Sequence, residues 1–338
     1  MEQNINVIFK KHESGRCLDF YAEVPCPMKQ QLRTAYDQFE RENFAKTGEK
    51  LYSFVPTNCP SSISPENSIR NIKDAKTMDE IPDVTIAFGM EDFITPNILE
   101  NYVKQGCFAK INDVSTLPFL HSEEFRDPFN CFNTIGMFPE VMLVDKKVLG
   151  NRPVPDSWEA LLDPVYRDCI AIPDGHEAVD GALMAYLYQH YGDGGLDRFE
   201  ANIHISHGGA SSARLVGTGR SDGAGVYILP WIFAQGAVKK GQAEVVWPKE
   251  GALVEPIVAM VKKDCMPRHK ALVDFVLSPE MASVFSDNYF LSAMPGASNP
   301  IPEGGTVTWL GWDYVCSHDI GELYRMVTER FSAFHRNK

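Results

Sequence analysis

Residues 153–174 read PVPDSWEALLDPVYRDCIAIPD. Two prolines and a tryptophan open the stretch, and an apolar run closes it. Asp156 and Ser157 are residue types that cap helix N-termini, so a helix can begin there. Trp158, Leu161 and Leu162 follow at i, i+3 and i+4 and give that helix one apolar face. Pro164 stops it. Cys169-Ile170-Ala171-Ile172 is too short and too apolar for anything but a buried strand, and Pro173-Asp174-Gly175 turns the chain away. A small helix packed beside a sheet is the local expectation.

Working outward, the same alternation recurs. Leu18 to Ala22 looks like a strand, and the helix after it carries Met28, Leu32, Tyr36 and Phe39 on one face, with Pro27 suited to its first turn. Leu51 to Val55 is a second strand, ending in the polar loop PTNCPSSISPENS. DVTIAF (83–88) is a third, followed by Gly89-Met90-Glu91-Asp92. Strands alternating with helices predict a mostly parallel sheet, whose ligands lie beyond the carboxyl ends of its strands. TIGMFPEVMLVD (134–145) is a long strand-like run broken by a proline, read as the crossing into a second domain. That domain holds the opening stretch and a helix from His176 to about Tyr191. It continues through SHGGASS, a short helix around Ala213 to Val216, and GTGRSDGAG leading to a strand at Val226 to Leu229. PIVAMV (256–261) is a second crossing strand, and ALVDFVLSPEMASVF is helical.

The bulk properties narrow the function. At 338 residues two domains are expected. A formal net charge of -13 argues against nucleic acid and anionic membrane surfaces as partners. No window reaches about 18 uninterrupted apolar residues, so no membrane span is expected. The opening residues lack the order of a signal peptide, which leaves an intracellular protein or one whose leader was removed. Eight cysteines are scattered without a CxxC pair, which fits reduced core thiols better than a disulfide framework.

Several motifs together carry a resemblance. The P-x-S-W-x-x-L-L-D-P helix before IAIPD, LDFYAEVPCPMKQQL, ARLVGTGRSDGAGVYI, VVWPKEGALVEPIVAMVKKD and ALVDFVLSPEMASVF occur in that family's order when arranged along the chain. This resembles the type II solute-binding proteins of ABC importers, in the branch covering ferric, polyamine and related organic ligands. It covers roughly residues 18 to 300. The resemblance implies an α/β fold of two lobes, each a mostly parallel sheet flanked by helices, joined by a two-stranded hinge and closing over a solute. Residues 1–134 and 260–338 would form lobe one and 135–259 lobe two. The chain departs from the family in two ways: no signal is visible, and no Tyr-Tyr pair of the ferric-binding kind occurs.

Candidate contacts sit at strand ends. Thr57, Asn58 and Ser61 (with Ser62) follow the second strand and could hold a polar group, or simply form an Asx/Ser turn. Glu91 and Asp92 could bind an amine or cap the next helix. Asp174, His176 and Glu177 could ligate a cation or hydrogen-bond a solute, although Asp174 also suits a helix cap. Tyr227 and Trp231 could stack on a ring or cation, with a core role as the alternative. GTGRSDG is not a dinucleotide fingerprint, and no G-x-S-x-G elbow or H-E-x-x-H occurs, so no catalytic residue, cofactor or resident metal is expected.

The expectation is therefore a monomeric, non-enzymatic protein that binds a small solute or ion and hands it to an ABC importer permease, extracytoplasmic by resemblance. The alternatives are an intracellular sensing protein on the same fold and an enzyme acting through Cys59 or His176. Acids, hydroxyls and aromatics outnumber the cations in reach, Arg214 and Arg220, which tilts the ligand towards a cationic or neutral organic solute.

Overall fold

The computed structural model describes residues 18–57, 69–89, 93–112, 123–174, 181–220, 222–238, 243–294, 296–299 and 301–335. In chain order the elements begin with β1 (Phe20–Ala22), α1 (Cys26–Thr47), β2 (Ser53–Phe54), β3 (Val84–Phe88) and α2 (Pro96–Ile98), the last running on as a π turn over Leu99–Val103. Next come β4 (Asn133–Asp145), α3 (Lys146–Leu149), β5 (Ile170–Pro173), α4 (Ala182–Glu200), β6 (Ile203–His207) and α5 (Gly209–Leu215). They are followed by β7 (Val226–Pro230), α6 (Trp231–Val238), β8 (Ala243–Val246), β9 (Ala252–Val261), α7 (Lys270–Val276) and α8 (Pro279–Ser286). The last are β10 (Leu291–Ser292), β11 (Val307–Thr308), α9 (Trp312–Ser317) and α10 (Ile320–His335). This is the mixed α/β fold that the strand–helix alternation predicts.

The chain divides into two compact units. The first comprises 1–137, 256–299 and 315–320; the second comprises 138–255, 300–314 and 321–338. Both crossings fall inside strands, one in β4 and one in β9. In the first unit β2, β1, β3 and β9 lie side by side, with β1 parallel to β2 and β3, and β3 antiparallel to β9. α1 covers this sheet with Met28, Leu32 and Tyr36, all buried at the spacing of one helix face. Phe275 of α7 stacks on Phe39 at 4.6 Å between ring centroids.

The amino ends of β1 and β3 are tied by buried charge. Lys262 donates to Asp83 Oδ1 at 2.9 Å, and His269 Nε2 lies 3.0 Å from Asp83 Oδ2. Asp19 accepts the Tyr52 amide at 2.8 Å and faces His269 and Arg268 at 3.6 and 3.7 Å. Burial alone would raise the Asp83 carboxyl, but the hydrogen bonds from His269 and Lys262 outweigh it and hold the group below its ordinary value.

In the second unit β4, β7, β5 and β6 lie side by side; β5 is parallel to β6 and β7, and β7 is antiparallel to β4. Here the quoted stretch meets its partner. Ser157 Oγ accepts the Ala160 amide at 3.1 Å, as an N-cap should. Glu250, from the PKEG loop, accepts the Trp158 and Glu159 amides at 3.1 and 3.2 Å. The fully buried Trp158 indole donates to Gly251 O at 2.9 Å. Gly251 has φ +109°, and a Cβ there would sit 2.7 Å from the Val307 backbone, so glycine is required. Asp145 ends β4 and accepts three amides: Lys147 at 3.0, Val148 at 3.2 and Gly217 at 2.6 Å.

Three expectations are corrected, and one helix end falls where expected. The helix after Ser157 is a single 3-10 turn, Glu159–Leu162, and Pro164 starts a second one, capped by Asp163 accepting the Val165 amide at 2.8 Å. ALVDFVLSPEMASVF is two helices, because Ser278 caps the second at Met281 N and Pro279 takes its first turn. The helix expected to end at about Tyr191 does so: Gly192, at φ 59° and ψ -160°, breaks it before a second helical stretch that runs to Glu200. Residues 260–338 do not all return to the first unit. Arg330 of α10 bonds Glu200 at 3.0 and 3.1 Å, and Phe331 packs edge-on against Phe199 at 6.2 Å, both within the second unit.

Replacing Asp83 by Asn leaves the buried Lys262 ammonium without its counter-charge and should cost about 3–5 kcal/mol at neutral pH. Because the Asp83 carboxyl is depressed in the fold, its contribution is present above the ordinary carboxylate range and is lost as pH falls through the folded value. Urea unfolding of wild type should therefore weaken below about pH 4, and Asp83→Asn should flatten that limb. Equal neutral-pH midpoints for the two proteins would exclude the ion network as a stabilising element. Glu250→Ala, which strips the cap from Trp158 and Glu159, should lower stability by about 1–2 kcal/mol in the same assay.

Candidate functional site

In the second unit the register Ile170↔Ile203 and Ile170↔Val226 aligns β5, β6 and β7, so their carboxyl ends fall together. Asp174 follows β5, Ser206 and His207 end β6, and Pro230 hands over to Trp231. The Asp174 amide donates to His207 O at 3.2 Å. Ser206 Oγ lies 3.3 Å from Asp174 Oδ2 and 2.8 Å from Phe334 O. His207 Nε2 lies 3.3 Å from Asp222 O. Glu140, only 2 % exposed, sits on β4 directly opposite Pro230. Trp231 meets Trp247 edge-to-face at 5.1 Å, and the Trp247 indole donates to Thr306 O at 2.6 Å. The glycines of SHGGASS serve packing: a Cβ on Gly209 would lie 2.5 Å from the Phe233 ring, so only glycine lets α5 start this close to α6.

In the first unit the parallel strands β1, β2 and β3 end at Ala22, Phe54 and Phe88. The Tyr21 hydroxyl donates to Glu23 Oε2 at 2.6 Å, and its ring stacks on Phe54 at 5.6 Å. Lys29, almost fully buried, stands one turn into α1. A carboxylate beside aromatic faces suits a cationic or hydrogen-bonding group, through charge and through the ring quadrupole.

The sequence-derived contacts distribute unevenly over this geometry. Thr57 is exposed beyond β2. Asn58, Ser61, Glu91 and His176, with Ser62, Asp92 and Glu177, lie outside the described residues. Asp174 is half-buried after β5, and Trp231, which follows β7, is 3 % exposed. Tyr227 is corrected: it is 0 % exposed and its hydroxyl accepts the Ala224 amide at 2.8 Å, so it packs the core and burial pushes its phenol up to about 12. Arg220 bonds Asp222 at 2.8 and 2.9 Å, and Arg214 bonds the Ser211 hydroxyl at 3.1 Å, both on exposed surface.

Sequence reasoning missed Glu23, Glu140, Ser206 and Lys29. Glu23 follows a strand as Glu91 does, and the same rule would have found it. Glu140 carried a signal of its own, an acid inside the apolar run MFPEVMLV, where burying a charge demands a reason. Among the described residues, Asp19, Asp83 and His269 form one group of metal-ligand types within 4.8 Å, but its carboxylates already face Lys262, Arg268 and the imidazole. A depression of about 580 Å³ in the first unit is lined by Lys73, Lys76, Asn97, Asn101 and Tyr102. There Asn97 and Tyr102 spend their donors on the Lys73 and Ala75 carbonyls.

Known proteins share the family and the fold of this chain. The family model described as bacterial extracellular solute-binding protein matches residues 79–318. The chain belongs to that family: it is a solute-binding protein. Among solved structures, the apo ferric ion-binding protein A of Pasteurella haemolytica is similar at TM-score 0.60 and 14 % identity, covering 95 % of this chain and 98 % of that one. AfuA of Actinobacillus pleuropneumoniae, a periplasmic binding protein with fructose-6-phosphate bound, gives TM-score 0.58 and 15 % identity over 95 % and 99 % of the two chains. An ABC transporter structure from Clostridium perfringens gives TM-score 0.61 and 13 % identity over 92 % and 99 %. These likenesses establish the periplasmic-binding-protein fold. No curated protein matches the sequence. No helix of the described residues is long and apolar enough to cross a membrane.

If Tyr227 is a packing residue, Tyr227→Phe should cost about 1 kcal/mol of unfolding free energy, the net worth of its bond to Ala224, and leave solute affinity unchanged. A tenfold loss of affinity at constant stability would return Tyr227 to the binding site.

Proposed function

We propose that this chain captures a small organic solute carrying a cationic nitrogen and delivers it to an ABC importer permease outside the cytoplasm, acting as a monomer and without turning the solute over. The observation that carries this reading is the convergence of Asp174, Ser206, His207 and Trp231 at the shared carboxyl end of β5, β6 and β7, with Glu140 buried opposite Pro230. Membership of an extracellular solute-binding family supports both binding and location, and the ABC transporter structure from Clostridium perfringens supports the permease partner.

The solute class rests on the balance of charge. Glu23, Glu140 and Asp174 are carboxylates at or beside strand ends, and Phe54 and Trp247, each half-buried, bring aromatic rings to the same regions. Lys29 is the counterweight among the buried groups there. Two of the similar structures are named for ferric ion and for bound fructose-6-phosphate. A ferric site of adjacent tyrosines has no counterpart in this sequence, and a sugar phosphate would meet mostly like charge.

Thermal unfolding with spermidine, thiamine, ferric citrate and fructose 6-phosphate tests the reading. An amine at a hundredfold over its Kd should stabilise the protein by roughly 2.7 kcal/mol, a shift of a few degrees. Asp174→Asn and Glu140→Gln should each reduce that shift. A response to ferric citrate or fructose 6-phosphate alone would overturn the amine class. Silence across the panel, with no ligand retained in native mass spectrometry, would overturn solute capture itself.

A further inference from the structure

Ser206 is fully buried, and its hydroxyl stands between two acceptors on different elements: Phe334 O in the last described turn of α10, at 2.8 Å, and Asp174 Oδ2, at 3.3 Å. A hydroxyl carries one hydrogen. The Phe334 carbonyl can only accept, and as one of the last carbonyls of a helix it has no partner within that helix. The shorter contact therefore holds the hydrogen, and the carboxylate of Asp174 competes for it from the other side. The Asp174 backbone is itself fixed, its amide donating to His207 O, so the side chain competes from a defined place.

We propose that Ser206 is a positioning residue that couples Asp174 to the C-terminal end of α10, so that a group engaging the Asp174 carboxylate releases the hydroxyl fully to Phe334 and tightens the last turn of that helix. The inference rests on the solute-binding reading only for the identity of the engaging group. The competition between the two acceptors exists without any solute. α10 thereby acts as a support for the strand-end set from behind β6, and substitutions at its end are felt at Asp174.

The test is a double-mutant cycle between positions 174 and 206, read by hydrogen exchange of the amides at 331–334 in the full-length, solute-free protein. Asp174→Ala removes the competing acceptor and should slow exchange in that turn by roughly two- to tenfold, the range one net hydrogen bond supports. Ser206→Ala should speed it, and in that background Asp174→Ala should have no further effect. Should Ser206→Ala fold poorly, Ser206→Cys keeps the volume with a weaker donor. Exchange that ignores Asp174, or responds equally in both backgrounds, would overturn the coupling. Adding spermidine separates the two ideas. Slower exchange in wild type but not in Ser206→Ala supports both, whereas an intact cycle with no spermidine response strikes the amine class and leaves the coupling standing.

Discussion

The carboxylate of Glu250 holds the amides of Trp158 and Glu159, 92 and 91 residues earlier, and the next residue receives the indole of that tryptophan. Much of the second unit depends on this junction. The 3-10 turn behind Trp158 is too short to sustain itself by its own ladder, since an isolated turn fixes several dihedrals for one hydrogen bond. It persists because a distant loop supplies its missing acceptors. Gly251 in turn can accept the indole only because its backbone adopts a conformation that a side chain would forbid against Val307. Two sequence motifs that look independent are one structural device.

Buried acids do similar work elsewhere by different means. Asp145 is satisfied by three backbone amides and so needs no counter-charge, while Asp83 is satisfied by an ammonium and an imidazole. The first arrangement fixes the end of β4 to the GTG turn. The second fixes the amino ends of β1 and β3 to the segment after β9. Both leave the carboxyl ends of the strands free to carry chemistry, which is where Glu23 and Asp174 stand.

Most of the architecture was legible because it rests on periodicity and punctuation. The α1 face, the strands at 84–88 and 226–230, and the long run through Pro139 follow from which residues are apolar and where proline and glycine fall. What escaped was set by distant partners. Nothing local says that Glu250 caps residue 158, or that Ser278 with Pro279 splits one helical pattern into two. α10 carries a clear apolar stripe, Ile320, Leu323, Val327 and Phe331, yet its packing against α4 depends on Arg330 finding Glu200 across 130 residues. The site was legible as a set of strand ends but not as a set of side chains. Asp174 and Trp231 were proposed by position, and the structure puts both at the carboxyl ends of strands. Tyr227 was misread because a ring near a strand end can point inward, and Glu140 was passed over although it is the one acid inside its apolar run.

The late segments of the chain have a consequence for how the protein is made. The second unit takes 138–255 from the middle of the chain but also needs 300–314 and 321–338. Phe199 of α4 therefore waits for Phe331, and Ser206 for Phe334, until the segment that carries those partners has left the ribosome. Domains whose segments are contiguous can fold one after another during synthesis. Here neither unit is complete before its segments beyond residue 299 are made, so the nascent chain exposes apolar surface until then, and its survival to the folded state depends on whatever shields that surface in the meantime.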